Sequence, residues 1–150
     1  LAGGRESTVA ELAPLFDAVG KRTVYCGPVG RASTLKISLN MLLGVMMQGL
    51  TEMLDLGSKG GLTREAMLEV VLAGPLSNAL FAMKQELLLD GDFPAQFPLK
   101  HMAKDLRLAV EAADGMGARI PLGRTARDQY VAADERGLGD EDFAAVSKSF

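Results

Sequence analysis

Leu39-Asn40-Met41-Leu42-Leu43-Gly44-Val45-Met46-Met47-Gln48-Gly49-Leu50-Thr51-Glu52-Met53-Leu54-Asp55-Leu56 is the centre of a longer run, Ser33 to about Gly60, whose apolar side chains recur at helical spacing. Leu39, Leu42, Leu43, Met46, Met47, Leu50, Met53, Leu54 and Leu56 lie nearly all round the axis, which predicts one long helix buried on most faces. Gly44, Gly49 and Gly57 each cost about 1 kcal/mol relative to Ala in a helix interior. Their expected compensation is the close approach of another helix. Lys36, Ser38, Asn40, Gln48, Thr51, Glu52 and Asp55 interrupt Leu35 to Leu56, too many polar groups for a lipid-exposed span, so no membrane partner is expected.

Beyond this run every segment reads as helix. Thr63 is placed to cap a helix to about Ala73, Asn78 one to Leu89, and Pro98 precedes a long one to about Met116. Pro121 begins the next, through Arg136, and Asp140 is expected to cap the last. Upstream, Val9, Leu12, Ala13, Leu15, Phe16 and Val19 keep helical spacing, with Pro14 expected to kink the segment and Gly20 to end it in a left-handed cap. Thr23-Val24-Tyr25-Cys26, closed by Gly27-Pro28, reads as a single strand. One helix and one strand make no stable sheet, so residues 1–30 are expected to be the last piece of a sheet domain whose other strands lie upstream. Residues 31–150 form the second domain, all helical.

Bulk properties agree with a packed domain. The chain has 150 residues, 48% of them hydrophobic, with a mean hydropathy of +0.14, enough for a real core. A net charge of −3 and a pI near 5.2 provide no basic footprint, and no direct nucleic-acid binding is expected. Leu1-Ala2-Gly3-Gly4-Arg5-Glu6 has neither an initiator Met nor the regions of a signal peptide, and is expected to be a cut through a longer protein. Cys26 alone forms no internal disulfide, and with one histidine, His101, no metal site is expected. The default setting is intracellular and reducing, in the cytoplasm or an organelle.

Two groups of residues could carry chemistry. In Gly27-Pro28-Val29-Gly30-Arg31-Ala32-Ser33-Thr34-Leu35-Lys36-Ile37-Ser38-Leu39-Asn40 the Lys36 ammonium and the Asn40 amide project from one helix face, one turn apart. The glycine-punctuated loop before them lets a ligand approach backbone at the helix N-terminus. On an apolar helix Lys36 is expected to be partly desolvated, which lowers its pKa toward proton-transfer range. The competing reading has Lys36 snorkelling to the surface and Asn40 bonding a neighbouring helix. In Phe97-Pro98-Leu99-Lys100-His101-Met102-Ala103-Lys104-Asp105, Phe97, Lys100 and Lys104 fall near one face and could meet an anionic cofactor, or make ordinary ion pairs. The methionines read as core filler, and Cys26 as an inert thiol.

The order of Gly27-Pro28-Val29-Gly30, Lys36 and Asn40, Glu52, Phe97, Lys104-Asp105 and Gly137-Leu138-Gly139-Asp140-Glu141-Asp142-Phe143 resembles the C-terminal domain of β-hydroxyacid dehydrogenases, the 3-hydroxyisobutyrate dehydrogenase-like family. Asn40–Met47 and Phe97–His101 look most like the glyoxylate/succinic semialdehyde reductases within it. The resemblance implies a mainly α fold: an all-helical dehydrogenase domain like the C-terminal domain of 6-phosphogluconate dehydrogenase, preceded by a helix-strand remnant of a Rossmann domain. It implies Lys36 as the catalytic lysine, Asn40, Phe97 and Asp105 at the substrate, and Lys104 at the cofactor. NADPH is implied ahead of NADH, with a small carboxylated aldehyde or hydroxy acid as substrate and a homo-oligomer as the working form. Ala32 departs from the family pattern, which usually has a further glycine there. No G-x-G-x-x-G follows a strand, so the chain is expected to supply half an active site and to be inactive alone. A chromatin-associated branch of the family lacks the catalytic lysine, which Lys36 argues against; a purely structural helical oligomerisation module is the other rival.

Overall fold

The computed structural model describes residues 1–150 and divides into two compact units, Leu1–Asn40 and Met41–Phe150. The division falls inside the longest helix, ten residues beyond the expected start of the helical domain.

In the first unit Pro14 breaks rather than kinks the opening segment. Two short helices result, α1 (Glu6–Glu11) and α2 (Ala13–Val19), with Leu12 between them and Pro14 in the first turn of α2, where a missing N–H costs nothing. Gly20 is extended, φ −148°, not a left-handed cap. Thr23–Cys26 does not form a strand. Its pairing is a single parallel bridge between Ala2 and Tyr25, with Ala2 N donating to Val24 O (2.9 Å) and Cys26 N to Ala2 O (2.8 Å). A β-rich tetrapeptide becomes a strand only with a neighbour of matching length, and Ala2 is one residue long in that role. Cys26 is half-buried, its thiol donating to Val24 O.

The long helix α3 (Arg31–Lys59) is present as expected. It is not buried on most faces, however: only Gly44, Met47, Gln48, Leu50, Thr51 and Leu54 are buried, while Leu35, Leu39, Leu42 and Leu56 are exposed. The apolar girdle is wider than the surface this chain covers. By length and composition α3 could cross a membrane, but core helices pass the same test, and from Gly44 onward its buried face packs in the second unit.

That unit is built of α4 (Arg64–Ala73), α5 (Ala79–Asp90), α6 (Leu99–Met116) and α7 (Pro121–Ala133), followed by a π-helical turn (Asp134–Leu138) and a 3-10 helix (Phe143–Ser149). Thr63 and Asn78 cap α4 and α5, accepting from Ala66 N and Phe81 N, each worth about 1 kcal/mol. Leu99, Met102, Ala103, Leu106, Ala109, Val110 and Ala113 form the buried stripe of α6 at helical spacing, and Ala126, Tyr130 and Ala133 of α7 share its core. Gly44 admits α6: a Cβ there would lie 3.2 Å from both Leu106 Cδ1 and Met102 Sδ. Gly57 likewise admits Met67, whereas nothing approaches Gly49. Helix α7 passes directly into the π-helical turn, so helical backbone runs through Arg136 as expected until Gly137 turns to φ +89°, whereas the final cap is Asp142 rather than Asp140. After Gly30 the only β pairing is one antiparallel bridge, Pro98 with Asp142.

Candidate active site

Lys36 and Asn40 belong to the first unit, Phe97, Lys104 and Asp105 to the second. Within the first, Gly27 (φ +100°) and Gly30 (φ +92°) take conformations that L side chains resist, folding the loop back so that Arg31 N reaches Pro28 O. Thr34 Oγ1 then donates to Gly30 O (3.1 Å) and Ser38 Oγ to Thr34 O (2.9 Å), tying the first turns of α3 to the loop. Lys36 projects from these turns, exposed rather than partly desolvated, into an open hollow of about 360 Å³ that it lines with Leu1, Ala32 and Ser33. The desolvation expected of Lys36 fails because Leu35 and Leu39 beside it are themselves exposed. At the departure from the family pattern, the Ala32 methyl faces Gly3, where a Cβ would come within 3.3 Å of it.

On α6 Asp105 is buried and Lys104 half-exposed, their side chains 2.9 Å apart. Lys100 does not stand free for an anion. It pairs with Asp140 at 2.5 Å, a hydrogen bond and attraction that raise the lysine pKa and lower the aspartate's. The ordinary ion-pair reading therefore describes Lys100, whereas Lys104 meets Asp105 with more than half of its side chain still exposed. Phe97, half-buried, packs edge-on against Phe143 (5.9 Å between centroids) and lies 6.2 Å from the His101 ring. No group of three or more His, Cys, Asp or Glu side chains is assembled that could hold a metal.

Sequence reasoning missed the most buried charges in the unit. Lys84 and Asp142 are almost fully buried and meet at 2.9 Å. Asp142 Oδ2 also accepts from Gln96 N and Phe97 N, both 3.1 Å, and Oδ1 from Ala144 N (3.1 Å). Lys84 Nζ donates further to Gln96 Oε1 (3.0 Å) and sits 5.0 Å from the centre of the Phe143 ring. Removing one partner of such a pair costs about 3–5 kcal/mol, although an apolar replacement of both is often neutral. One signal was available: Lys84 lies one turn from Leu80 and Leu88 on α5, on the apolar side. Close by, Tyr130 is fully buried with no partner for its hydroxyl; burial, then the Asp142 carboxylate, push its pKa well above 10.

Residues 30–150 match the family described as NAD-binding of NADP-dependent 3-hydroxyisobutyrate dehydrogenase. The chain is 37% identical to glyoxylate/succinic semialdehyde reductase 1 of Arabidopsis thaliana over 97% of its own length and 50% of the reductase. It is 35% identical to the cytokine-like nuclear factor N-PAC of Aedes aegypti, over 97% of its length and 26% of that protein. The chain thus spans half the length of the reductase and about a quarter of the nuclear factor. The crystal structure of a 3-hydroxyisobutyrate dehydrogenase from Salmonella typhimurium shares the fold at a TM-score of 0.90 and 29% identity, over 99% of this chain and 52% of that one.

Proposed function

Because the chain belongs to the family described as NAD-binding of NADP-dependent 3-hydroxyisobutyrate dehydrogenase, we propose that it is the C-terminal part of an intracellular NAD(P)-dependent oxidoreductase that reduces small carboxylated aldehydes such as glyoxylate or succinic semialdehyde. The single observation that carries this reading is Lys36 one turn before Asn40 beside an open hollow, in a chain 37% identical to a glyoxylate/succinic semialdehyde reductase. On this reading residues 31–150 are a helical domain like the C-terminal domain of 6-phosphogluconate dehydrogenase, residues 1–30 close a dinucleotide-binding domain, and the working form is a homo-oligomer.

The donor set of this chain fits a cofactor in part. Lys104, its side chain 57% exposed, is the cation that meets a cofactor phosphate, with NADPH preferred over NADH, while no glycine fingerprint for the pyrophosphate is present. The nicotinamide supplies the hydride. Lys36 holds its ammonium at the aldehyde oxygen, offsets the negative charge that develops there and gives up a proton to it. Asn40, one turn on, orients that ammonium or the substrate; the family resemblance assigns Phe97 and Asp105 to lining or bracing the substrate, with Asp105, buried as it is, in the bracing role.

Lys36→Ala in the intact protein is expected to cut kcat for glyoxylate by at least about 100-fold, the usual scale for a positioned proton donor, with little change in the KM for NADPH. Lys104→Ala is expected to do the reverse, raising the NADPH KM more than it slows saturated turnover. Kinetics unmoved by either substitution would refute the assignment. A second reading, a non-catalytic dehydrogenase-like module, is favoured by the 35% identity to N-PAC. It predicts no turnover in the wild type, and gives Lys36 no task.

A further inference from the structure

Resting on the reading of Phe97 as a substrate-site residue, we infer that the buried Lys84–Asp142 pair and Gln96 are positioning residues, a strut that sets the 93–97 loop and through it the Phe97 ring. Asp142 and its successor grip this loop from end to end. Asp142 N donates to Phe93 O (2.9 Å), its Oδ2 receives Gln96 N and Phe97 N, and Phe143 N donates to Phe97 O (2.9 Å). Lys84 closes the arrangement from α5, joining Asp142 Oδ2 to Gln96 Oε1 and lying over the Phe143 ring, the ring that packs against Phe97.

Stability alone is a poor account of this cluster. A buried ion pair often gains little over apolar side chains of the same size, whereas the directed hydrogen bonds of this one hold named backbone atoms of the loop. Phe93 anchors the start of this loop in the core, but Pro94, Ala95 and Gln96 are exposed, so the course of the chain from there to the half-buried Phe97 rests on the hydrogen bonds to Asp142. Neither Lys84 nor Asp142 is exposed enough to meet substrate, which separates positioning from contact. Misplacing a substrate-facing group by about 1 Å costs up to about 100-fold, so the strut is worth reading in the kinetics.

The test uses the intact protein with glyoxylate and NADPH. Lys84→Met is expected to raise the glyoxylate KM about tenfold while the NADPH KM changes less than about twofold, and Gln96→Ala to act in the same direction more weakly. In a Phe97→Ala background Lys84→Met should add nothing to the glyoxylate KM, because the group it positions is gone. Should Lys84→Met not fold, Gln96→Ala at its exposed position carries the same cycle with Phe97→Ala. An unchanged glyoxylate KM, an equal loss in every parameter, or an effect additive with Phe97→Ala overturns the strut. If Phe97→Ala itself leaves the glyoxylate KM unchanged, the placement of Phe97 at the substrate falls, and this inference with it.

Discussion

At Lys36 the residue type and its spacing from Asn40 were plain in the sequence; its surroundings were not. Desolvation depends on what covers a helix face, and periodicity reports only the face's own composition. Lys84 shows the converse. A buried lysine is rare enough that the default reading of any lysine is solvated, and its partner lies 58 positions away, beyond any local pattern. Tyr130 carries a pH consequence of the same burial. Its folded pKa is raised, so the stability linked to its neutral form is complete below about pH 10, where unfolded tyrosine ionises, and is lost as pH rises from there toward the folded value. Urea denaturation between pH 7 and 11 should show stability falling above pH 10, and Tyr130→Phe should lose less over the same range. Since the hydroxyl has no partner, Tyr130→Phe should also match or exceed the wild type at pH 7, by up to about 1 kcal/mol. A Phe variant clearly weaker at pH 7 would mean that the hydroxyl is satisfied.

Element boundaries were legible wherever a local signal sets them. Thr63 and Asn78 cap where their side chains reach the first-turn amides, and Pro98 and Pro121 begin helices for the reason proline does anywhere. Thr23–Cys26 and Asp140 were misread because strand formation needs a partner and a cap needs geometry, and neither is written in composition. The glycines of α3 divide in the same way. Gly49→Ala should stabilise the protein by up to about 1 kcal/mol, since a methyl meets open space and the helix gains propensity. Gly57→Ala should destabilise it, because the new Cβ falls on Met67 Sδ in a side chain that is itself buried. Thermal melts of the two variants check the contrast, and shifts of the same sign would show that packing does not decide these positions.

For the whole molecule, apolar side chains in both units remain uncovered. In the first, Leu15, Val19 and Val29 are exposed; in the second, Leu56, Leu62 and Val70 rim an open hollow of about 660 Å³ floored by Met53, Met67 and Val71. Single exposed leucines are ordinary, but a contiguous hollow with almost no polar lining is the kind of surface that associates. The long apolar run that decided the helical fold also accounts for part of it, since Met53, Leu56 and Gly57 belong to the half of α3 whose buried side faces the core. Sequence periodicity showed that α3 needs cover on many sides; it could not show that this chain covers only one. Residues 1–150 alone should therefore self-associate, and light scattering at tens of micromolar should give a mass above the 15.9 kDa of one chain. Leu56→Lys with Val70→Lys, both at exposed positions, should lower that mass with little loss of helix signal in circular dichroism, because neither side chain belongs to the core. A monomeric mass for the unsubstituted chain would mean that these surfaces stay wet. An unchanged mass for the double variant would move the contact to other exposed apolar side chains, such as Leu15, Val19 and Val29 of the first unit or Leu76, Met83 and Leu122 of the second.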